Sequence, residues 1–119
     1  MNTYTAATKP TFYFIGVSTA KSSIMRVFPA WAKHLGLGDV ILKGVDLKLH
    51  DEVENYREVI NFIKDDANSL GALVTTHKID LLKACRDLLE ELDYDAQLTG
   101  EISCISKRDG KLRGHALDP

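Results

Sequence analysis

Two hydroxyls, an imidazole and an ammonium group fall on consecutive residues in "TTHK", Thr75 to Lys78, directly after the apolar "GALV". A second polar cluster, "STAKSS", follows the apolar run "TFYFIGV" and brings Ser18, Thr19, Lys21, Ser22 and Ser23 close together. Hydroxyls, ammonium groups and the free N–H groups of a helix start together suit a small anion that carries several hydroxyls. A lysine at a half-closed edge can also have its pKa lowered by desolvation and relay a proton if a carboxylate lies near. Asp118 is the carboxylate expected there. Each cluster alone also has a plainer reading, in which the hydroxyls cap helices and the lysine is solvated.

The elements that would position these clusters can be read from periodicity. "TFYFIGV" is β-branched and aromatic on both faces, which suits a strand covered on both sides. Ile24, Val27, Phe28, Trp31 and Leu35 recur at helical spacing, with Ser22 or Ser23 as the cap and "GLG" at Gly36 to Gly38 as the stop. Pro29 should kink this helix or mark its first turn. "VILKGVDLKL" reads as a second strand with Gly44 as a bulge. "HDEVENYREVINFIKDD" reads as a second helix with Val53, Tyr56, Ile60 and Ile63 facing inward and Asp51 and Glu52 at its positive end.

A short third strand runs from Gly71 to Val74, and "IDLLKACRDLLEEL" is expected as one helix that buries Leu81, Leu82, Cys85, Leu88 and Leu89. The last segment, "EISCISKRDGKLRGHALDP", reads as two strands around a tight "RDG" turn. The order β-α-β-α-β-α-β-β predicts an α/β fold in three layers, α/β/α, with a mostly parallel sheet and an antiparallel hairpin near the C-terminus. In such a sheet, ligands bind beyond the carboxyl ends of the strands, where strand order reverses. Both polar clusters should therefore face one rim.

The bulk numbers agree with a single domain. The 119 residues suffice to bury roughly two-thirds of the unfolded surface around one core. Residues 1–10 are expected to be a flexible N-terminus, and 11–119 the folded domain. Apolar content of 45% and charged content of 27% are ordinary for a globular chain. A net charge of −2 from 15 basic and 17 acidic residues offers no field for nucleic acid. No apolar run approaches the ~20 residues of a membrane span, so a soluble, cytoplasmic protein is expected. Cys85 and Cys104 lack ligand-like spacing and read as free thiols with no metal. Trp31 reads as core, "KRDGK" as a solvated turn and "DLLEELDYD" as an exposed helix end. His77 and His115 are the histidines in contexts that look chemical.

Three stretches resemble, in order, the signatures of the N-terminal substrate-binding domain of shikimate dehydrogenase and quinate dehydrogenase-like oxidoreductases. The signature G-x-P-I-x-H-S-x-S-P is similar to "GVSTAKSSIM", matching Gly16 and Ser22. The signature G-x-N-V-T-x-P-x-K is similar to "GALVTTHK", matching Gly71, Val74, Thr75 and, with one residue deleted, Lys78. A third, G-A-V-N-T followed by G-x-L-x-G-x-N-T-D-G, is similar to "GEISCISKRDGKLRGHALDP" at Gly100, Gly110, Leu112, Gly114 and Asp118. The resemblance covers nearly the whole chain from Phe12. It implies the amino-acid-dehydrogenase-like N-terminal fold and an NADP-linked interconversion of 3-dehydroshikimate and shikimate. Lys78 and Asp118 would be the catalytic pair, with Ser18, Lys21, Ser22, Thr75 and Ser103 touching substrate and His77 and His115 as further candidates.

The departures from those signatures bear on the substrate. The second carboxylate-binding serine is Ile24 here, the proline after it is Met25, and the histidine is Lys21; the ring-hydroxyl asparagine is Ser103. A site that lacks a polar partner discriminates against its original ligand, so shikimate, quinate and other hydroxylated carboxylates stay open. No G-x-G-x-x-G occurs, so NADP is expected on a nucleotide-binding domain supplied in cis or in trans, with the isolated chain inactive. The alternative is a free-standing carboxylate-binding or regulatory module that has lost redox work. Edge strands could also pair two copies into a homodimer.

Overall fold

The computed structural model describes residues 4–34, 36 and 40–116, leaving aside the side chains of residues 21, 26, 29, 31 and 32. Six strands form one mixed sheet: β1 (Thr11–Gly16), β2 (Ile41–Asp46), β3 (Ser69–Val74), β4 (Glu91–Leu92), β5 (Cys104–Arg108) and β6 (Lys111–His115). Their order is β2-β1-β3-β5-β6-β4. The helices are α1 (Ser23–His34), α2 (Val53–Asp65), α3 (Lys78–Cys85) and α4 (Tyr94–Thr99). β1 pairs in parallel with β2 and β3, β5 is antiparallel to both β3 and β6, and β4 runs parallel to β6.

Successive strand residues face opposite sides of a sheet. Phe12 meets Phe28 of α1 edge-on, while its neighbour Tyr13 meets Phe62 of α2, so these helices cover opposite faces. The α2 and α3 side holds the dense core, where Ile15, Tyr56, Val59, Ile60, Ile63, Leu81 and Ile105 lose almost all contact with solvent. Residues 4–10 are tied to this face. Tyr4 stacks on Phe62, Ala7 N–H donates to Asp66, and Asn68 Nδ2 donates to Ala7 C=O.

Several expectations change in detail. Val53 opens α2 but is 51% exposed, and Val59 takes the core position instead. Pro29 lies well inside α1 and does not mark its first turn; Trp31 falls outside the described side chains, and Leu35 and the end of the Gly36 to Gly38 stop fall outside the described residues. Gly44 is not a bulge, since β1 and β2 pair without a register shift. Its place is next to Thr19, whose Oγ1 would lie 2.0 Å from a Cβ built there, so any larger residue would displace the turn after β1.

The single helix expected from Ile79 to Leu92 is divided. It ends at Cys85, passes through a 3-10 turn over Arg86–Leu88, and becomes the edge strand β4. Arg57 of α2 donates to the Ala84 carbonyl and to both Asp87 carboxylate oxygens, which takes up the last turn of α3. Glu90 N–H then bonds Leu112 C=O, and Leu89 is buried beneath the hairpin. The supposed exposed helix end is thus strand β4 and helix α4, the latter capped by Asp93 accepting from Ala96 N–H at 2.7 Å. The hairpin itself follows expectation: Asp109 (φ 53) and Gly110 (φ 76) form a two-residue left-handed turn between Arg108 and Lys111.

Candidate functional site

Parallel pairing brings the carboxyl ends of β1, β2 and β3 to one rim. β5 starts there because it runs the other way, and β4 and β6 end there. β1 lies between β2 and β3, its successors on either side, which makes its end the point where the chain's direction of growth reverses. Both polar clusters open from that point. They touch across Gly16: a Cβ built there would lie 2.9 Å from Thr75 Cγ2 and 3.1 Å from Thr19 Cγ2.

The second cluster is held by backbone bonds to β1 and to the segment that enters β5. Thr75 N–H donates to Ile15 C=O at 3.0 Å, Val74 N–H to Ser103 C=O at 2.8 Å, and Ile102 N–H to Lys78 C=O at 3.1 Å. Ser103 N–H continues the strip to His115 C=O at 2.8 Å. Thr75, His77, Lys78, Ser103 and His115 therefore share one strip of the rim. Lys78 is the first residue of α3 and half-buried. Asp118, its expected partner three positions beyond His115, lies outside the described residues.

The first cluster is built differently. Ser18 precedes a 3-10 turn, Thr19–Lys21, and is exposed, with no capping bond from its side chain. Ser22 closes that turn and stands immediately before α1, its C=O accepting from Met25 N–H at 3.2 Å. The Lys21 side chain lies outside the described part. Thr19, buried, donates both N–H and Oγ–H to Asp46 Oδ1, at 2.9 and 2.8 Å. These two bonds, the N–H first, hold the Asp46 carboxyl below its ordinary pKa.

Three carboxylates among the described residues lie on this rim. Asp46 ends β2, Asp80 lies in the first turn of α3 and Asp93 follows β4. Asp80 meets His50 Nδ1 at 2.6 Å, and His50 itself sits at φ 53 in the loop before α2. Asp93 Oδ2 faces His115 Nδ1 at 3.6 Å, and His115 Nε2 meets Ser106 Oγ at 2.8 Å. Capping of α4 keeps the Asp93 carboxyl ionised to lower pH than usual. A glycine two residues before an aspartate at a strand end, "GVD", was the signal that could have drawn attention to Asp46.

His77 is 1% exposed and occupies the cap position of α3. Its Nδ1 meets Tyr56 Oη at 2.9 Å, and the two rings pack edge-on. Thr76 before it is held at φ 66, a conformation strained for a β-branched residue and typical of functional loops.

A cavity of about 530 Å³ opens on the hairpin, lined among others by Glu91, Ser106, Arg108, Lys111, Arg113 and His115. Thr75 and Lys78 do not line it, so it lies beside the strip that carries the predicted chemistry. Among the described residues no three His, Cys, Asp or Glu side chains converge as a metal site. Cys85 and Cys104 are free thiols, and burial pushes Cys85 up to about 12. In the turn after β1, threonine methyl groups close over Gly16. Among the described residues no helix is long and apolar enough to cross a membrane.

No protein-family model matches the chain. An NADP(+) shikimate dehydrogenase of Methanocaldococcus jannaschii is 35% identical over 65 residues, covering 51% of this chain and 22% of that enzyme. A shikimate dehydrogenase structure in complex with NADP+ superimposes with a TM-score of 0.73 at 30% identity, over 90% of this chain and 34% of that one. Two further structures share the fold at lower identity. A Listeria monocytogenes shikimate 5-dehydrogenase in complex with shikimate and NAD has a TM-score of 0.71 at 21% identity, covering 96% of this chain and 37% of its own. A Gluconobacter 5-ketofructose reductase has a TM-score of 0.72 at 23% identity, covering 90% and 35%. The chain thus spans about a third of the solved structures it matches and less of the curated relative. In its mixed six-stranded sheet and in part of its sequence, the chain is thus similar to shikimate dehydrogenases.

Proposed function

We propose that this chain is the substrate-binding domain of a shikimate dehydrogenase-like oxidoreductase. Its substrate would be a small hydroxylated carboxylate, and NADP would be held by a nucleotide-binding domain in cis or in trans. The observation that carries this reading is the strip Thr75, Lys78, Ser103 and His115 at the reversal point of the sheet, tied to β1, β5 and β6 by backbone hydrogen bonds. Rigid backbone at such a point presents side chains to a ligand without further ordering.

In this reading Lys78 Nζ carries the proton that passes to or from the oxygen of the reacting carbon, and Asp118 keeps the ammonium oriented. Thr75 and Ser22 hold hydroxyl and carboxylate oxygens, and Ser18 and Lys21 border the anion. Nicotinamide supplies the hydride when bound. Calorimetric titration with shikimate, quinate and NADP(H) tests the division of labour. One of the two acids should bind to the 119-residue chain and the nucleotide should not. Nucleotide binding to this chain would overturn the assignment, as would indifference to both acids.

A further inference from the structure

We infer that His77 presents a buried hydrogen-bond donor to the ligand, and so helps to select it. The inference rests on the reading of the rim as a substrate site. It begins with Tyr56, which is buried, and burial raises its pKa, so the hydroxyl keeps its proton. Tyr56 Oη already accepts from Asp51 N–H at 3.2 Å, and its partner on the other side is His77 Nδ1 at 2.9 Å. Among the described residues Nδ1 is the other hydrogen-bond partner of Tyr56 Oη, and we assign the hydroxyl hydrogen to it, with Nδ1 as acceptor. A neutral imidazole that accepts at Nδ1 carries its hydrogen on Nε2.

That Nε2–H is fully buried and has no hydrogen-bond partner among the described residues. The two ring nitrogens point to different sides, so Nε2 faces away from Tyr56 and α2. Buried N–H groups are nearly always paired, because an unpaired one forfeits its hydration without return. The backbone that carries the ring is fixed as well. Thr76 is held left-handed, and His77 N–H is fixed to Thr75 C=O at 2.6 Å, one residue before Lys78. The ring is held in place by Tyr56, and His77 lies between Thr75 and Lys78 along the turn. An oxygen acceptor on the ligand, a hydroxyl, carbonyl or carboxylate, completes the pairing of Nε2–H. His77 stands near the place of the proline in the signature that this stretch resembles, where the register slips by one residue.

Long-range proton–nitrogen NMR of the imidazoles, on the 119-residue chain, reads the tautomer directly. The free protein should show His77 as the Nε2–H form, and saturating shikimate or quinate should shift Nε2 and slow exchange of its proton. His77→Phe should weaken binding of that acid by about tenfold, the scale of one lost ligand hydrogen bond. His77→Gln, which keeps a donor, should restore part of it. An Nδ1–H tautomer in the free protein would overturn the inference, and so would an Nε2 resonance unmoved by a bound acid, as when an interior water alone is its partner. Binding to His77→Phe within twofold of wild type would do the same while leaving the substrate reading intact. If neither acid binds the wild-type chain, the substrate reading fails, and this inference with it. The NMR measurement needs no variant, so misfolding of His77→Phe would not shield the inference.

Discussion

The turns after β1 and after β3 carry similar residues and open on the same rim, yet they are secured in opposite ways. After β3, Thr75 and Lys78 are tied by main-chain bonds to β1 and to the segment that enters β5, and His77 is buried beneath Tyr56. After β1, the buried hydroxyl of Thr19 is consumed by Asp46, Ser18 stands in solvent, and a serine position of the family signature is occupied by Ile24. The turn after β3 is fixed by main-chain bonds, whereas in the turn after β1 the buried hydroxyl is engaged by a carboxylate. Catalytic geometry tolerates little displacement, whereas a binding loop can drift toward another ligand.

The strongest way to break this contrast is at Lys78. In a protein that carries the nucleotide-binding domain, Lys78→Ala should lower kcat by about a hundredfold or more, with KM changed only a few-fold, as expected for a proton-transfer group. Steady-state kinetics with shikimate or quinate read this directly. A normal kcat would reduce Lys78 to a solvated helix start and remove the distinction between the turns.

A structural test targets the joint that holds the rigid side. Gly71 lies at φ 149, and a Cβ there would sit 2.2 Å from the carbonyl oxygen of Ile105. Gly71→Ala should force β3 and β5 apart and cost roughly 2–3 kcal/mol. Urea or thermal unfolding measures it. A loss below half of that would show that β5 can shift, and that the strip through Ser103 and His115 is less fixed than its bonds suggest.

The smallest effect belongs to the first turn. Thr19→Val should cost roughly 1 kcal/mol near neutral pH through the lost bond to Asp46. Because the folded state lowers the Asp46 pKa, this stabilisation is complete above the unfolded value and fades as the pH falls through the folded one. The gap between wild type and Thr19→Val should therefore narrow below about pH 4, as unfolding curves at several pH values would show. An unchanged gap would mean that Asp46 is not what anchors the turn.

Legibility varied with the kind of information required. The apolar runs at Thr11 and Ile41, the helical stripe through Tyr56, Ile60 and Ile63, and the "RDG" hairpin each follow from local periodicity and turn chemistry, and each formed where its pattern lay. The segment from Arg86 to Leu92 did not. Its leucines fit a helical stripe, but Arg57 captures the end of α3 and the open edge of β6 captures the next residues as a strand. Neither partner is near in sequence, so no local pattern could announce them. Gly44 misled for the same reason, since its smallness serves Thr19 and not its own strand.

By itself, the sequence determined the α/β class and the strand-end location of both polar clusters, because these depend on spacing along the chain. Tertiary structure alone decided that Asp46 occupies Thr19, that Asp80 meets His50, and that Tyr56 leaves His77 with a buried unpaired donor. Each of those contacts is 2.9 Å or shorter and joins residues 21 to 30 apart along the chain. Hydrogen bonds of that reach are set by how strands and helices pack, and periodicity carries no record of it.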